Sequence, residues 1–234
     1  PAKVEVGEIV MHPKASKEMD DYAKEKLEGI RKDIVENGRS FSTLVAIYSM
    51  DPGSKDKGGE YTINKKQFDK AFVAAAFKLQ QGEISPVIKS NFGYHIIQML
   101  DKIDNDNARV RHILIVPEIT SFDVAATMAK QDSLYKELLA NNITFNEAVK
   151  KYSTDSEAKM TGGMVMNPNT GTYDLYIESL DPQMATSLSG LEVGQYAKPV
   201  LYTDQRGQKA TRIIYLKSRT EPHTLNLMDD YSII

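Results

Sequence analysis

The chain contains no cysteine. That excludes a disulfide framework, a thiolate nucleophile and any zinc site built on sulfur. It has no run of roughly 18 apolar residues, so no segment is long and apolar enough to cross a bilayer as a helix. Positive charge is not in excess either: 29 Lys and Arg stand against 32 Asp and Glu, a net charge of −3. No Lys/Arg cluster is interleaved with aromatics, and a nucleic-acid partner is not expected. The four histidines, His12, His95, His112 and His223, lack metal-ligand spacing. There is no serine nucleophile elbow and no phosphate-cradling glycine loop. No metal and no cofactor is therefore expected. What remains is 234 residues of ordinary hydrophobic content, 41%, enough for one or two domains. The chain opens on Pro1 without a charged-then-apolar leader and ends on "EPHTLNLMDDYSII", where a helix is expected to start. This is the expectation for a segment cut from a longer protein.

A repeat organises the chain. "NGRSFSTLVAIYSMDPGSKDKGG" from Asn37 aligns with "NNITFNEAVKKYSTDSEAKMTGG" from Asn141, at an offset of 104 and with nine identities in 23 positions. The identities include Phe41/Phe145, Tyr48/Tyr152, Asp51/Asp155 and the pairs Gly58-Gly59 and Gly162-Gly163. The same offset pairs "EIVMHP" from Glu8 with "HILIVP" from His112. Later the offset grows, pairing Gly82 with Gly194 and His95 with Arg212, so the second copy carries an insertion of about a dozen residues. A unit of about 100 residues suits a small domain rather than a solenoid repeat. The polar stretch "DNDNA" (Asp104 to Ala108) reads as the link. The expected domains are 1–103 and 104–218, with a tail over 219–234 and the insertion near 167–180.

Each unit reads alike. An apolar strand (Val4–Met11; Val110–Val116) is stopped by a proline. A long amphipathic helix follows, capped by Ser16 in the first unit and running from Asp123 to Ala140 in the second. A second helix starts after Ser40 or Thr144. A polar loop carries the aspartate, and Gly-Gly leads into a short strand. A helix over Phe68–Phe77 precedes two strands that turn at Ser90–Asn91. The order β-α-α-β-α-β-β predicts an α+β fold, an antiparallel four-stranded sheet covered by helices in each unit. Tyr173, Leu175, Tyr176 and Ile177 make the insertion too apolar for a free loop. It is expected to pack on its domain, covering or extending the second groove.

With "YSMDPGSKDKGGEYTI", then "FDKAFVAAAFKLQQGEISPV" and "FGYHII" in this order and spacing, both units resemble the parvulin family of peptidyl-prolyl isomerases, over nearly the whole of each. As a tandem pair they are similar to the middle of SurA-type periplasmic chaperones, without that family's N- and C-terminal chaperone segments. The resemblance implies a folding helper in the periplasm. Its partners would be unfolded or proline-containing polypeptides, among them outer-membrane proteins. It also implies a site made of two histidines on adjacent strands, a Cys or Asp, and an apolar pocket. Carried over, Asp51 and His95 match in the first unit, with Tyr61, Phe68 and Phe72 at pocket positions and Glu8 where the first histidine belongs. In the second unit His112 and Asp155 match, Leu180 and Met184 stand at pocket positions, and Arg212 replaces the second histidine. His12 reads as a surface residue. Neither unit then holds the full set, and the first is the expected isomerase. The alternative is a binding module that has lost part of its catalytic set. Asp51 and Asp155 also suit plain turn or capping roles. Phosphoserine-proline is not the expected substrate, because the loop after the first strand carries only Lys14 or Glu118.

The resemblance further implies that the two histidine positions face each other across adjacent antiparallel strands, with Cβ atoms about 4.5–5.5 Å apart. Glu8 is then expected beside His95, raising its pKa above about 6.5. His112 is expected beside Arg212, with Arg212 free to pair with Asp155.

Overall fold

In the computed structural model, which describes residues 2–220, the repeat is visible element by element. Strand β1 (Lys3–Met11), helix α1 (Lys17–Val35) and helix α2 (Phe41–Tyr48) recur as β5 (Asn107–Ile115), α4 (Ser121–Leu139) and α5 (Phe145–Tyr152). Between the copies lie β2 (Glu60–Asn64), α3 (Lys70–Ala76), β3 (Ile88–Ser90) and β4 (Gly93–Lys102). After them come α6 (Ser156–Met160), β6 (Leu175–Tyr176), α7 (Pro182–Leu188), β7 (Val200–Thr203) and β8 (Lys209–Arg219). Side-chain oxygens start the helices by taking up free backbone N–H groups. Ser16 accepts from Met19 N and Ser40 from Thr43 N. Thr144 and Glu147 form a reciprocal capping box. Asp69 and Asp181 cap α3 and α7 at matching places.

Two antiparallel four-stranded sheets result, in the orders β2-β5-β4-β3 and β6-β1-β8-β7. The first strand of each repeat therefore lies in the other repeat's sheet. The cause is local. "DNDNA" is a hairpin turn and not a domain link: the Asp104 carboxylate accepts from Asp106 N and Asn107 N, and Ile103 N donates to Asn107 O. So short a turn lets β5 lie straight back along β4, with Asp101 opposite Arg109 and Lys102 opposite Ala108. Strand β1 in turn pairs with β8, Glu8 opposite Ile214.

The expected boundary at 103/104 is thus corrected in space. One unit is the continuous stretch 15–120, here the inserted unit. The other, the host unit, gathers 2–14 and 121–220. Position 219 is not in a tail but ends β8, and Thr220 N donates to Lys3 O. The rest of the expected tail, with its helix start, lies outside the described residues.

In each sheet, neighbouring residues point to opposite faces and feed two cores. In the inserted unit Ile96 and Ile113 pack with Leu27, Leu44 and Val45 under α1 and α2, while Ile97 and Met99 pack with Ile63, Phe72 and Leu79. In the host unit Ile213 joins Ile9, Leu134 and Val149, and Ile214 joins Val4, Val6, Leu175 and Leu188. Leu175 of the insertion pairs with Val4 at the sheet edge, and Ile177 and Leu180 pack on the same core. The insertion therefore extends the host sheet, while Tyr173 and Tyr176 stay exposed.

Candidate active site

The strand exchange changes which side chains meet. On β4 and β5, His95 lies opposite Leu114 and His112 opposite Ile97, so the two histidines are diagonal neighbours on one face. Their rings stack with centroids 5.4 Å apart, and their Nδ1 atoms are 3.2 Å apart. The loop after α2 is stapled to β5: Met50 N donates to Leu114 O, and Leu114 N donates to the buried Ser49 Oγ. This brings Asp51 Oδ2 to 3.0 Å from His112 Nε2. The Ser54 hydroxyl donates to the same carboxylate and lies 3.0 Å from His112 Nε2. On the far side, His95 Nε2 is 2.7 Å from Ser90 Oγ. The Gly-Gly pair serves backbone approach. His112 N donates to Gly59 O at 2.9 Å, Gly59 has φ +83°, and a Cβ there would stand 2.4 Å from His112 O.

One set of tautomers satisfies every bond. An ionised Asp51 only accepts, so His112 carries its proton on Nε2 and leaves Nδ1 as an acceptor. His95 then donates from Nδ1 and accepts from Ser90 at Nε2. The result is a one-way chain, Ser90 to His95 to His112 to Asp51. Ser54 and Ser90 were not singled out by sequence. Both belong to turn-rich stretches where serine is ordinary, and no signal there distinguishes them.

Aromatic rings wall the site. Phe72 meets both imidazoles edge-on, at 5.2 Å from His95 and 5.4 Å from His112. Tyr61 lies 5.5 Å from His112 and Phe68 5.8 Å from Tyr61. Phe72 is buried, whereas Tyr61 and Phe68 keep partial exposure. Burial acts to raise the Asp51 pKa, but the bonds from Ser54 and His112 outweigh it and hold the carboxyl below its ordinary value. Burial lowers the His112 pKa in spite of Asp51. Burial, with His112 alongside, lowers that of His95 to about 4. The expected rise for His95 is thus reversed, because burial penalises its cation and Glu8 is not beside it to favour that cation.

A stability prediction follows. A histidine whose folded pKa is depressed contributes stability that is present above its unfolded pKa of about 6.5. That stability is lost as pH falls toward about 4. Urea unfolding of the full chain should show the inserted unit losing about 3 kcal/mol over that window. His95→Phe should flatten the slope, and an unchanged slope would contradict the buried neutral pair.

The host unit holds a different set. Arg212, opposite Val10, has Nη1 3.5 Å from Glu8 Oε2, donates from Nη2 to Asp181 Oδ1 at 2.7 Å, and stacks 4.1 Å over Tyr202. The expected pairing of Arg212 with Asp155 is corrected: its carboxylate partners are Glu8 and Asp181. Asp155 caps α6, accepting from Glu157 N and Ala158 N. Glu8 does not meet His95, and burial pushes its pKa up in spite of Arg212. Met184 is buried and Leu180 half-buried in the host core. His12 is bonded to Thr154 and Asp204, tying the Asp155 loop to the β7–β8 turn. Arg212→Met should lower host stability by about 1–3 kcal/mol, since it leaves the partly exposed carboxylates of Glu8 and Asp181 without the guanidinium they bond. It should leave any chemistry at Asp51 unchanged. A matched loss of activity would show that Arg212 serves that site.

Comparison with known proteins agrees with the repeat. The model of the family "Rotamase: PPIC-type PPIASE domain" matches twice, over residues 9–101 and 112–218. The foldase protein PrsA of Staphylococcus aureus, strains Newman and N315, is 46% identical over 80 residues, 34% of this chain. The matched region spans only 25% of those relatives. Among solved structures, the peptidylprolyl isomerase PrsA from Bacillus anthracis is 21% identical over 61% of each chain, with a TM-score of 0.29. The foldase protein PrsA from Streptococcus pneumoniae is 15% identical over 91% of this chain and 65% of its own, with a TM-score of 0.32. Since the two family matches together take in well over half of the residues, the chain belongs to the PPIC-type peptidyl-prolyl isomerase family.

Proposed function

We propose that the inserted unit catalyses cis–trans isomerisation of X–Pro bonds in unfolded polypeptides. The observation that carries this reading is the meeting of His95, His112 and Asp51 beside an aromatic wall, residues that the sequence repeat divides between two units. Isomerisation breaks no bond. It must overcome a barrier of about 18–20 kcal/mol set by amide resonance. A catalyst needs to grip the proline ring and favour the twisted amide over the planar one. Tyr61, Phe68 and Phe72 supply apolar surface for the ring. Asp51, held ionised, places a negative charge where the planar amide would concentrate its own on the carbonyl oxygen, so it disfavours the planar state. The histidine chain fixes that carboxylate and stays neutral at pH 7.

The host unit is read as a non-catalytic holder of client chains. Its counterpart positions are taken by the Arg212–Glu8–Asp181 network, and its Asp155 is a helix cap. A periplasmic location and outer-membrane protein clients are part of the same proposal and rest on the likeness to SurA-type chaperones. The test is proline isomerisation by the full chain, followed by exchange NMR or a protease-coupled assay. Asp51→Ala should suppress turnover and Asp155→Ala should not. Equal loss in both, or loss only in the second, would place the activity elsewhere.

A further inference from the structure

The first strands of the two repeats are counterparts 104 residues apart, yet β1 lies beside β8 and β5 beside β4. Two adjacent positions distinguish them sharply: Gly7-Glu8 in β1 and Arg111-His112 in β5. Gly7 lies opposite Tyr215, and a Cβ added to it would stand 2.5 Å from Phe145 Cζ and 3.3 Å from Met164 Sδ. The Phe145, Tyr215 and Tyr196 rings stack there, with successive centroids 4.8 and 5.0 Å apart. A side chain at position 7 has no room. In the inserted unit the matching position is Arg111, opposite Gln98. Its Nε donates to Gln98 Oε1 at 2.6 Å, and its guanidinium lies 5.0 Å over the ring of Phe41, the counterpart of Phe145.

The next position is matched in the same way. His112 meets His95, and Glu8 meets Arg212. Returning each strand to its own repeat would undo every match. Arg111 would be driven into the Phe145–Tyr215 stack. Gly7 would leave Gln98 and Phe41 without their cation. Glu8 would bring a second carboxylate to Asp51, and Arg212 would exchange a carboxylate for an imidazole. Mismatches of this kind discriminate against a wrong partner, alongside the contacts that favour the right one.

We infer that Gly7-Glu8 and Arg111-His112 form a strand-sorting code. It sends β1 to the host sheet and β5 to the inserted sheet, and so delivers His112 to His95 and Asp51. Gly7, Glu8 and Arg111 are positioning residues that act through the choice of strand. The inference rests on the geometry of the two sheets and needs the isomerase reading only for its consequence.

The absence of native cysteine gives a direct readout. Asp101 lies opposite Arg109, while Glu5, the counterpart of Arg109, lies opposite Ser218. In a full chain carrying Glu5→Cys, Asp101→Cys and Arg109→Cys, the disulfide formed from position 101 reports which strand lies beside β4. A protease site introduced at Asn105 lets the β4–β5 turn be cut after folding. The cut chain, both halves together, is then unfolded, refolded under oxidising conditions and mapped by mass spectrometry. The 101–109 link should exceed the 101–5 link by at least about tenfold, although the turn no longer ties the strands. Comparable amounts, or a majority of 101–5, would overturn the inference. In the uncut chain, the joint exchange Gly7→Arg, Glu8→His, Arg111→Gly and His112→Glu should move the link to position 5. A link that stays on 109 would show that the turn sorts the strands and the code does not. If the exchanged chain fails to fold, the cut-and-refold result on native strands decides alone.

Discussion

A chain ended at Ile103 should fail to fold into an isomerase, whereas one running from Ala15 to Thr120 should fold and turn over X–Pro peptides. Ending at Ile103 removes β5, which lies inside the sheet order β2-β5-β4-β3. With it go Ala108, Val110, Ile113, Leu114 and Ile115, all buried, and one of the two imidazoles. Burying each large aliphatic side chain is worth about 1.5–3 kcal/mol, and a domain's net stability is only about 5–15 kcal/mol. The loss therefore exceeds what the unit can absorb, and β2 and β4 are left with unpaired edges. Strand β1, still present in the shorter chain, is the one candidate for the empty place, and Gly7-Glu8 suits it poorly. Circular dichroism, amide dispersion in NMR and the isomerase assay on both segments check this. A folded, active 1–103 segment would mean that β1 fills the slot after all.

Asp51→Ala in the full chain should lower kcat/KM by about 10²–10³-fold, the usual loss when one preorganised electrostatic group is removed, or about 3–4 kcal/mol. The fold should survive. Asp51 sits in a polar loop whose backbone is held by Ser49 and Met50 on Leu114, bonds the substitution leaves in place. His112→Ala should reduce turnover by a similar factor and also lower stability, because it opens a cavity beneath Phe72 and leaves His95 without a partner for Nδ1. Asp51→Asn should fall between wild type and Asp51→Ala, keeping the geometry and losing the charge. If Asp51→Asn were fully active, the carboxylate would be a structural acceptor only.

The α+β class, the order of elements in each repeat and the helix caps at Ser16, Ser40 and Thr144 were legible because each rests on local periodicity and capping chemistry. So was the aspartate loop, fixed by its place before Gly-Gly. The strand exchange was not. It depends on reading "DNDNA" as a turn that closes a hairpin or as a link that ends a domain, and the composition of the two is the same. The apolar, β-branched-rich runs on either side of a short polar stretch, "HIIQML" and "VRHILI", were the sign of a hairpin. From that one choice followed the wrong partners for Glu8, His95, His112 and Arg212. The side-chain types themselves pointed the other way: two imidazoles and an aspartate make a coherent site, and an arginine with carboxylates makes another. Ser54 and Ser90 act only through tertiary proximity, which no local pattern encodes.

Lys3 is bonded to Thr220 across 217 residues of sequence. As the chain leaves the ribosome, β1 emerges first and its partner β8 last. The whole stretch 15–120 is synthesised in between, and domains fold as units in the order they appear. Residues needed to complete the proposed isomerase are therefore all outside the ribosome about a hundred residues before the host sheet can close, while β1 waits unpaired. The host's own prolines at 168, 182 and 199 emerge during that interval. Those X–Pro bonds are then tethered by the chain itself to the proposed isomerase. Refolding of the host should accordingly slow when Asp51 is replaced, in a phase that an added prolyl isomerase restores.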